Sequence, residues 1–231
     1  MSTHPLCAIS SMATRQVLAE LAERYRQATG TEVQVESVGG VDAARRVEAG
    51  EAFDLVFLAS DAIDKLAALG HVRPESRRAV VDSSVAMAVK AGAPQPDVGT
   101  EDALRRAVLA ARSIGYSTGP SGTALLKLFE RWGIAESVKP RLVQARAGVP
   151  VGSLVASGEA ELGFQQLSEL MNLEGITLLG GMPPGLAITT TFTGAVAAKA
   201  QHPQAQAALD FMASPDTAEL KRRHGMDVPQ G

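Results

Sequence analysis

The sequence predicts an α/β fold built on largely parallel sheets, and three observations predict it. Strand-like apolar runs alternate with helix-periodic stretches along nearly the whole chain of 231 residues. Turns rich in Ser, Thr and Gly join the ends of strands to the helices that follow. The run Phe53-Asp54-Leu55-Val56-Phe57-Leu58-Ala59 is almost continuously apolar, as a central parallel strand covered on both faces must be.

Taken in order, Leu6 to Ile9 is a short apolar strand ending in Ser10-Ser11-Met12. Val17, Leu18, Leu21, Ala22 and Tyr25 then mark one face of a helix that stops at Thr29-Gly30. Thr31 to Ser37 alternates as a strand and runs through Val38-Gly39-Gly40-Val41 into a helix from Asp42 to Gly50. After Phe53–Ala59, Ser60-Asp61 caps a helix closed by Gly70. Ser84 to Lys90 is the next strand, Gly92 to Pro96 a surface loop, and Glu101 to Ala111 a helix.

The stretch from Ser113 to Thr123 is the fullest version of the recurring unit. A short strand meets a Gly/Ser/Thr/Pro turn and then the first turn of a helix carrying Leu125, Leu126, Leu128 and Phe129. Such a junction aims unpaired N–H groups and the positive end of the helix dipole at the space beyond the strand, which suits an anion. Leu142 to Gln144 and Ala160 to Phe164 are further strands. Between them the turn from Gly148 to Ser153 opens a helix. Thr177 to Leu179 precedes a compact Gly/Pro turn. Ile188 to Phe192 is extended, Gly194 to Ala198 is a buried strand, and two helices close the chain, with Ser214 placed as N-cap before Pro215.

In parallel sheets, ligands sit beyond the carboxyl ends of strands. Five such ends carry small polar residues: Ser10-Ser11, Ser37 to Gly40, Ser117 to Thr123, Val149 to Ser153, and Gln165-Gln166. Each alone reads as ordinary capping, but five in one topology favour a ligand. Tyr116 is read either as a wall residue or as a hydroxyl donor. No dinucleotide fingerprint, phosphate loop or nucleophile elbow is present.

Composition narrows the function further. The net charge of −3 and the scarcity of aromatics (one Trp, two Tyr, six Phe) give no basis for nucleic-acid binding. No stretch approaches the ~20 apolar residues of a membrane span. Cys7, the single cysteine, is expected as a small core residue. His4, His71, His202 and His224 do not cluster with carboxylates, so neither a metal site nor a cofactor is expected. No export signal is evident, which implies a cytoplasmic protein if Met1 is the natural start, and a periplasmic one if a signal peptide has been removed.

The order of these turns resembles the periplasmic molybdate-binding proteins and their wider class, the type II substrate-binding proteins of transporters. Gly50 to Asp61 and Gly158-Glu159-Ala160-Glu161-Leu162-Gly163-Phe164-Gln165-Gln166 carry the resemblance most specifically. It implies a periplasmic-binding-protein type II fold: two Rossmann-like α/β lobes with a ligand cleft between them. Lobe I would comprise 1–82 plus 192–231, and lobe II 83–191, with crossing strands near 82–83 and 191–192. The resemblance also implies ligand roles for Ser11, for Gly39 or Gly40, for Ser121 to Thr123, and for the amides around Val149-Pro150. Ser10, Met12, Tyr116, Ser117, Gln165 and Gln166 complete the expected binding set.

Two departures shape the expected ligand. Gly39-Gly40 replaces the serine-rich second turn of molybdate binders, and Gln166 aligns where they place a tyrosine. The stretch Gln165-Gln166-Leu167-Ser168-Glu169-Leu170 is more similar to the branch that includes aconitate isomerase, which implies a di- or tricarboxylate ligand. Two functions follow from these readings. One is capture of a small anion, an oxyanion or a carboxylate, for the membrane component of a transporter. The other is cofactor-independent isomerisation of a small unsaturated polycarboxylate. For the second, Glu169, Tyr116 and Asp61 are candidate bases by position. Arg15, Arg45 and Arg146 are the cations with reach toward an anion, although Arg15 and Arg45 fall on expected helix surfaces.

Overall fold

The computed structural model describes residues 4–146 and 148–229. Contacts divide the chain into two compact units, residues 1–82 with 191–231 and residues 83–190.

The first unit opens with β1 (Leu6–Ser11), a 3-10 turn, and α1 (Arg15–Thr29). The predicted apolar face of α1 is the buried one, and Gly30 ends it in the left-handed conformation at φ 77°. β2 (Val33–Val38) and α2 (Gly40–Glu48) follow, then β3 (Leu55–Ala59), all five residues buried, and α3 (Ser60–Ala68). β1 lies between β2 and β3, parallel to both, with Ser10 opposite Ser37 and Phe57. Those rungs correct one expectation: Ser10 and Ser11 are paired strand residues, not turn residues, because β2 continues beside them to Val38.

β4 (Arg78–Lys90) is a single strand of 13 residues whose later part belongs to the second unit. Sequence reading began it only at Ser84, since Asp82 and Ser83 interrupt the apolar pattern; Ser83 is nonetheless fully buried. In the second unit come α4 (Glu101–Ala110), capped by the Thr100 side chain, β5 (Ile114–Tyr116), α5 (Pro120–Arg131) and the short α6 (Ala135–Val138). Then follow β6 (Leu142–Gln144), α7 (Val151–Ser157), β7 (Leu162–Gln166), the four-residue α8 (Leu167–Leu170) and β8 (Ile176–Gly181). Here the strand order is β4-β7-β5-β6, with β5 parallel to both β6 and β7. β4 runs antiparallel to β7 and to β8.

β9 (Thr189–Val196) returns the chain to the first unit as one strand rather than the expected two, and pairs antiparallel with β3. α9 (Ala205–Ala213), α10 (Ala218–Arg223) and β10 (Met226–Asp227) complete that unit, and the Ser214 side chain caps the turn at Pro215 as expected. The sheets are therefore mixed, where a largely parallel arrangement was expected. The long returns β4 and β9 run against their neighbours, and hydropathy carries no information on strand direction.

Each unit has its own core. In the first, Leu6, Leu18, Leu21, Phe57, Leu209 and Met212 pack on one side of the sheet and Ile9, Val56, Leu58, Ile63 and Leu66 form a second cluster. In the second, Met87, Leu104, Ile114, Leu125, Phe129 and Phe164 form the main cluster. Cys7 is half-buried at the edge of this packing rather than inside it. Among the described residues no helix is long and apolar enough to cross a membrane.

Candidate functional site

In the first unit the parallel register of β1, β2 and β3 brings their carboxyl ends to one edge. Ser10 Oγ shares a hydrogen bond with Ser37 Oγ at 2.7 Å, joining the first two ends. Ser11 follows. Its hydroxyl is buried and has no partner, while its carbonyl accepts the Thr14 hydroxyl at 3.2 Å. Met12 is half-buried and begins the 3-10 turn. Gly39 is the N-cap of α2 with no side chain to offer, and its carbonyl accepts the Ala43 N–H. A methyl on Gly40 would lie 3.6 Å from Ser11 Cβ, so the first turn of α2 stands directly against Ser11. An orphaned hydroxyl beside a helix N-terminus is a donor placed for an anion.

At the end of β3, Ser60 was read as a cap. It is instead the first residue of α3, and its hydroxyl hydrogen-bonds Thr193 Oγ1 at 2.7 Å and donates to the Thr191 carbonyl at 3.0 Å. Thr193 is 133 positions away in sequence, and nothing local signals the pairing.

In the second unit β5 and β7 are parallel neighbours, Gly115 opposite Gly163; β5 ends at Tyr116, while β7 continues to Gln166 against β4. Tyr116 is partly buried against the unit's main core. Ser117 and Ser121 share a hydrogen bond of 2.9 Å across the start of α5. Gly122 packs on the Ser117 backbone so tightly that no side chain fits there. Thr123 is exposed and its N–H donates to the Gly119 carbonyl at 3.2 Å.

The turn before α7 has fewer free amides than expected. Pro150 has no N–H, the Val149 N–H donates to the Arg146 carbonyl at 2.9 Å, and the Gly152 N–H donates to Gln165 Oε1 at 3.3 Å. Both glutamines are 3% exposed. Gln166 donates from Nε2 to Thr190 Oγ1 at 3.0 Å, and its Oε1 is buried without a partner. After β7 comes the helical turn α8, and on it lies Glu169. Burial raises the Glu169 carboxyl to about 7, opposed only by a hydrogen bond from the Gln165 side chain.

The other candidates are peripheral. Asp61, Arg15, Arg45 and Arg146 are exposed, and Arg45 pairs with Asp42 at 2.7 Å. Among the described residues, no group of three or more His, Cys, Asp or Glu side chains is arranged to hold a metal ion. Each unit thus offers hydroxyls and backbone amides at its strand ends, and the second adds the two buried glutamine amides and the half-buried Glu169.

Comparison with known proteins gives this geometry a context. The family described as bacterial extracellular solute-binding protein matches residues 7–227. An aconitate isomerase from a Pseudomonas species is 38% identical over 230 residues, spanning 96% of this chain and 87% of that protein. A molybdate-binding protein ModA from Azotobacter vinelandii is 29% identical over 111 residues, spanning 47% of this chain and 44% of that protein. The solved structure of the Azotobacter vinelandii periplasmic molybdate-binding protein superposes with a TM-score of 0.80 at 20% identity, covering 97% of this chain and 100% of that chain. The fold is accordingly that of the periplasmic binding proteins, of the two-lobe type II kind.

Proposed function

This chain belongs to the bacterial extracellular solute-binding protein family, and from that premise we propose that it captures a small di- or tricarboxylate. One observation carries the choice of carboxylate over oxyanion. Gln166 Oε1, a buried acceptor without a partner, stands at the carboxyl end of β7 among the candidate binding residues. A fully ionised tetrahedral oxyanion offers only acceptors and leaves that oxygen unsatisfied, at a cost of roughly 1–3 kcal/mol. A polycarboxylate that keeps one proton, or carries a hydroxyl, donates to it. In the same unit as that oxygen, Ser117, Ser121 and the first amides of α5 supply donors for ionised carboxylates. Membership of the family supports an extracytoplasmic setting and delivery to the membrane component of a transporter.

A second reading, in which the bound acid is also isomerised, is favoured by the 38% identity to an aconitate isomerase along almost the whole chain. Thermal denaturation in the presence of single ligands tests the proposal. A ligand that binds only the folded state at 100 times its Kd adds about 2.7 kcal/mol of stability. Stabilisation by citrate, cis-aconitate or trans-aconitate is the expected result. Stabilisation by molybdate, tungstate, sulfate or phosphate alone overturns it.

A further inference from the structure

Two buried oxygens of the second unit, Ser83 Oγ and Gln166 Oε1, have no hydrogen-bond partner, and strand register brings their residues to one small area of the sheet. β4 lies between β7 and β9. On one side Gln166 stands directly opposite Val85. On the other, the Val85 N–H donates to the Ile188 carbonyl at 2.9 Å, and the Ser84 and Thr189 hydroxyls share a hydrogen bond of 3.1 Å. The next rung therefore sets Ser83 opposite Thr190. Residues directly opposite each other, and residues two apart on one strand, share a face. Ser83, Val85, Gln166 and Thr190 are thus on one face, and the bond from Gln166 Nε2 to Thr190 Oγ1 at 3.0 Å crosses it from β7 to β9, over β4. Ser83 is 0% exposed, Gln166 3% and Thr190 8%. Packing alone does not account for the two orphans: alanine at 83 fills a buried strand position without an unpaired hydroxyl, and each buried polar atom left unpaired costs stability.

We propose that Ser83 and Gln166 together bind one carboxyl group of the polycarboxylate in its un-ionised form, so that capture takes up a proton; this rests on the carboxylate reading above. The two oxygens call for complementary partners. Gln166 Oε1 can only accept, and the bond from Nε2 to Thr190 leaves it as the free end of the amide. The Ser83 hydroxyl has a proton to donate. An un-ionised carboxyl matches both: its O–H donates to Gln166 Oε1, and its carbonyl oxygen accepts the Ser83 O–H. An ionised carboxylate sets two acceptors against each other, and Ser83, Thr190 and Gln166 bring no positive charge to offset that. Burial acts in the same direction, because loss of water disfavours the charged form. The proton comes from solvent and returns there on release. The other carboxylates of the ligand stay ionised and take the hydroxyl and amide donors at the start of α5.

Calorimetric titration with trans-aconitate, which has no hydroxyl, tests the proposal. At about pH 8 free carboxylates are ionised, and titrations in two buffers of different protonation enthalpy count the protons taken up. The expected result is close to one proton per ligand bound, with affinity falling about tenfold for each further pH unit. Glu169→Gln is expected to show the same uptake, which separates the ligand's proton from one held by the raised Glu169 carboxyl. Ser83→Ala removes a hydroxyl without a partner, so the free variant is expected to melt at an unchanged or slightly higher temperature and to bind trans-aconitate about fivefold or more weakly. Binding by wild type without proton uptake overturns the proposal and leaves the carboxylate reading standing. Uptake that disappears in Glu169→Gln places the proton on that carboxyl and overturns it as well. Equal affinity in Ser83→Ala does the same, leaving the two oxygens to a bound water. Citrate bound without uptake, where trans-aconitate is not bound, assigns the donor to a hydroxyl and also overturns it. If wild type binds neither acid, the carboxylate reading itself fails and this proposal with it.

Discussion

Ser117 and Gly122 meet backbone to backbone: a methyl group built on Gly122 would lie 1.9 Å from the Ser117 carbonyl oxygen. The closeness lets Ser117 and Ser121 share their hydrogen bond of 2.9 Å and brings the first turn of α5 hard against the end of β5. Gly122→Ala forces that turn away. It is expected to destabilise the second unit by about 1–3 kcal/mol, or more if the backbone does not give. Chemical denaturation measures the loss, and an unchanged midpoint would show that the turn tolerates displacement.

Ser11 has a buried hydroxyl with no partner, so the ligand-free protein gains little from it. Removing an unsatisfied polar group is close to neutral or mildly stabilising, whereas losing a hydrogen bond to an ionised ligand costs about 1 kcal/mol or more. Ser11→Ala is predicted to leave the melting temperature of the free protein unchanged or slightly higher. Its affinity for trans-aconitate or citrate, measured by calorimetry, is predicted to fall about fivefold or more. Equal affinity in wild type and variant would take Ser11 out of the binding set.

Glu169 gives stability a pH dependence of known sign. Its carboxyl is raised by burial from 4.5 to about 7 in the folded protein, so between those values the folded state holds a proton that the unfolded chain has released. This contribution is complete below pH 4.5 and is lost as pH rises through about 7, with a size on the order of 3 kcal/mol. Unfolding free energies of wild type and Glu169→Gln at pH 5 and pH 8 should therefore diverge, the variant being the more stable at pH 8. Parallel pH profiles would show that Glu169 ionises normally.

Lys221 is completely buried, and its amine donates a hydrogen bond to the Ser214 carbonyl at 3.3 Å. Burial lowers its pKa from 10.5 to about 8, so at neutral pH the folded protein carries the desolvation cost of a charged amine. The unfolded chain binds the extra proton between pH 8 and 10.5, so stability rises across that window. Lys221→Met is predicted to raise stability at pH 7 by about 1–3 kcal/mol. The Ser214 carbonyl keeps its bonds from the Thr217 N–H and hydroxyl, so no acceptor is orphaned. A lower melting temperature for Lys221→Met would mean that the amine has a partner role that outweighs its burial.

Much of this was legible in the chain itself, and the gaps have physical causes. Val17, Leu18, Leu21, Ala22 and Tyr25 mark the buried face of α1 because a helix shows its burial as period. Ser214 caps as read because capping is local. The two parts of β9 were read as separate strands because the boundary signs at Thr193-Gly194 are met by packing: a methyl on Gly194 would lie 2.4 Å from Leu209 Cδ1.

The sequence by itself determined the alternation of strands and helices, the small-residue turns at strand ends, and the absence of fingerprints for nucleotides or hydrolysis. Each is a property of neighbouring residues, set by propensity, periodicity and capping. Tertiary structure alone decided that β4 and β9 run against their neighbours, that the Ser60 hydroxyl turns to Thr193, and that the Gly152 amide is spent on Gln165. It also decided that Glu169, one of three candidate bases by position, is the one whose carboxyl burial perturbs, while Asp61 lies exposed. Burial and hydrogen-bond partnership depend on segments far apart in the chain, and no local pattern of residues encodes them.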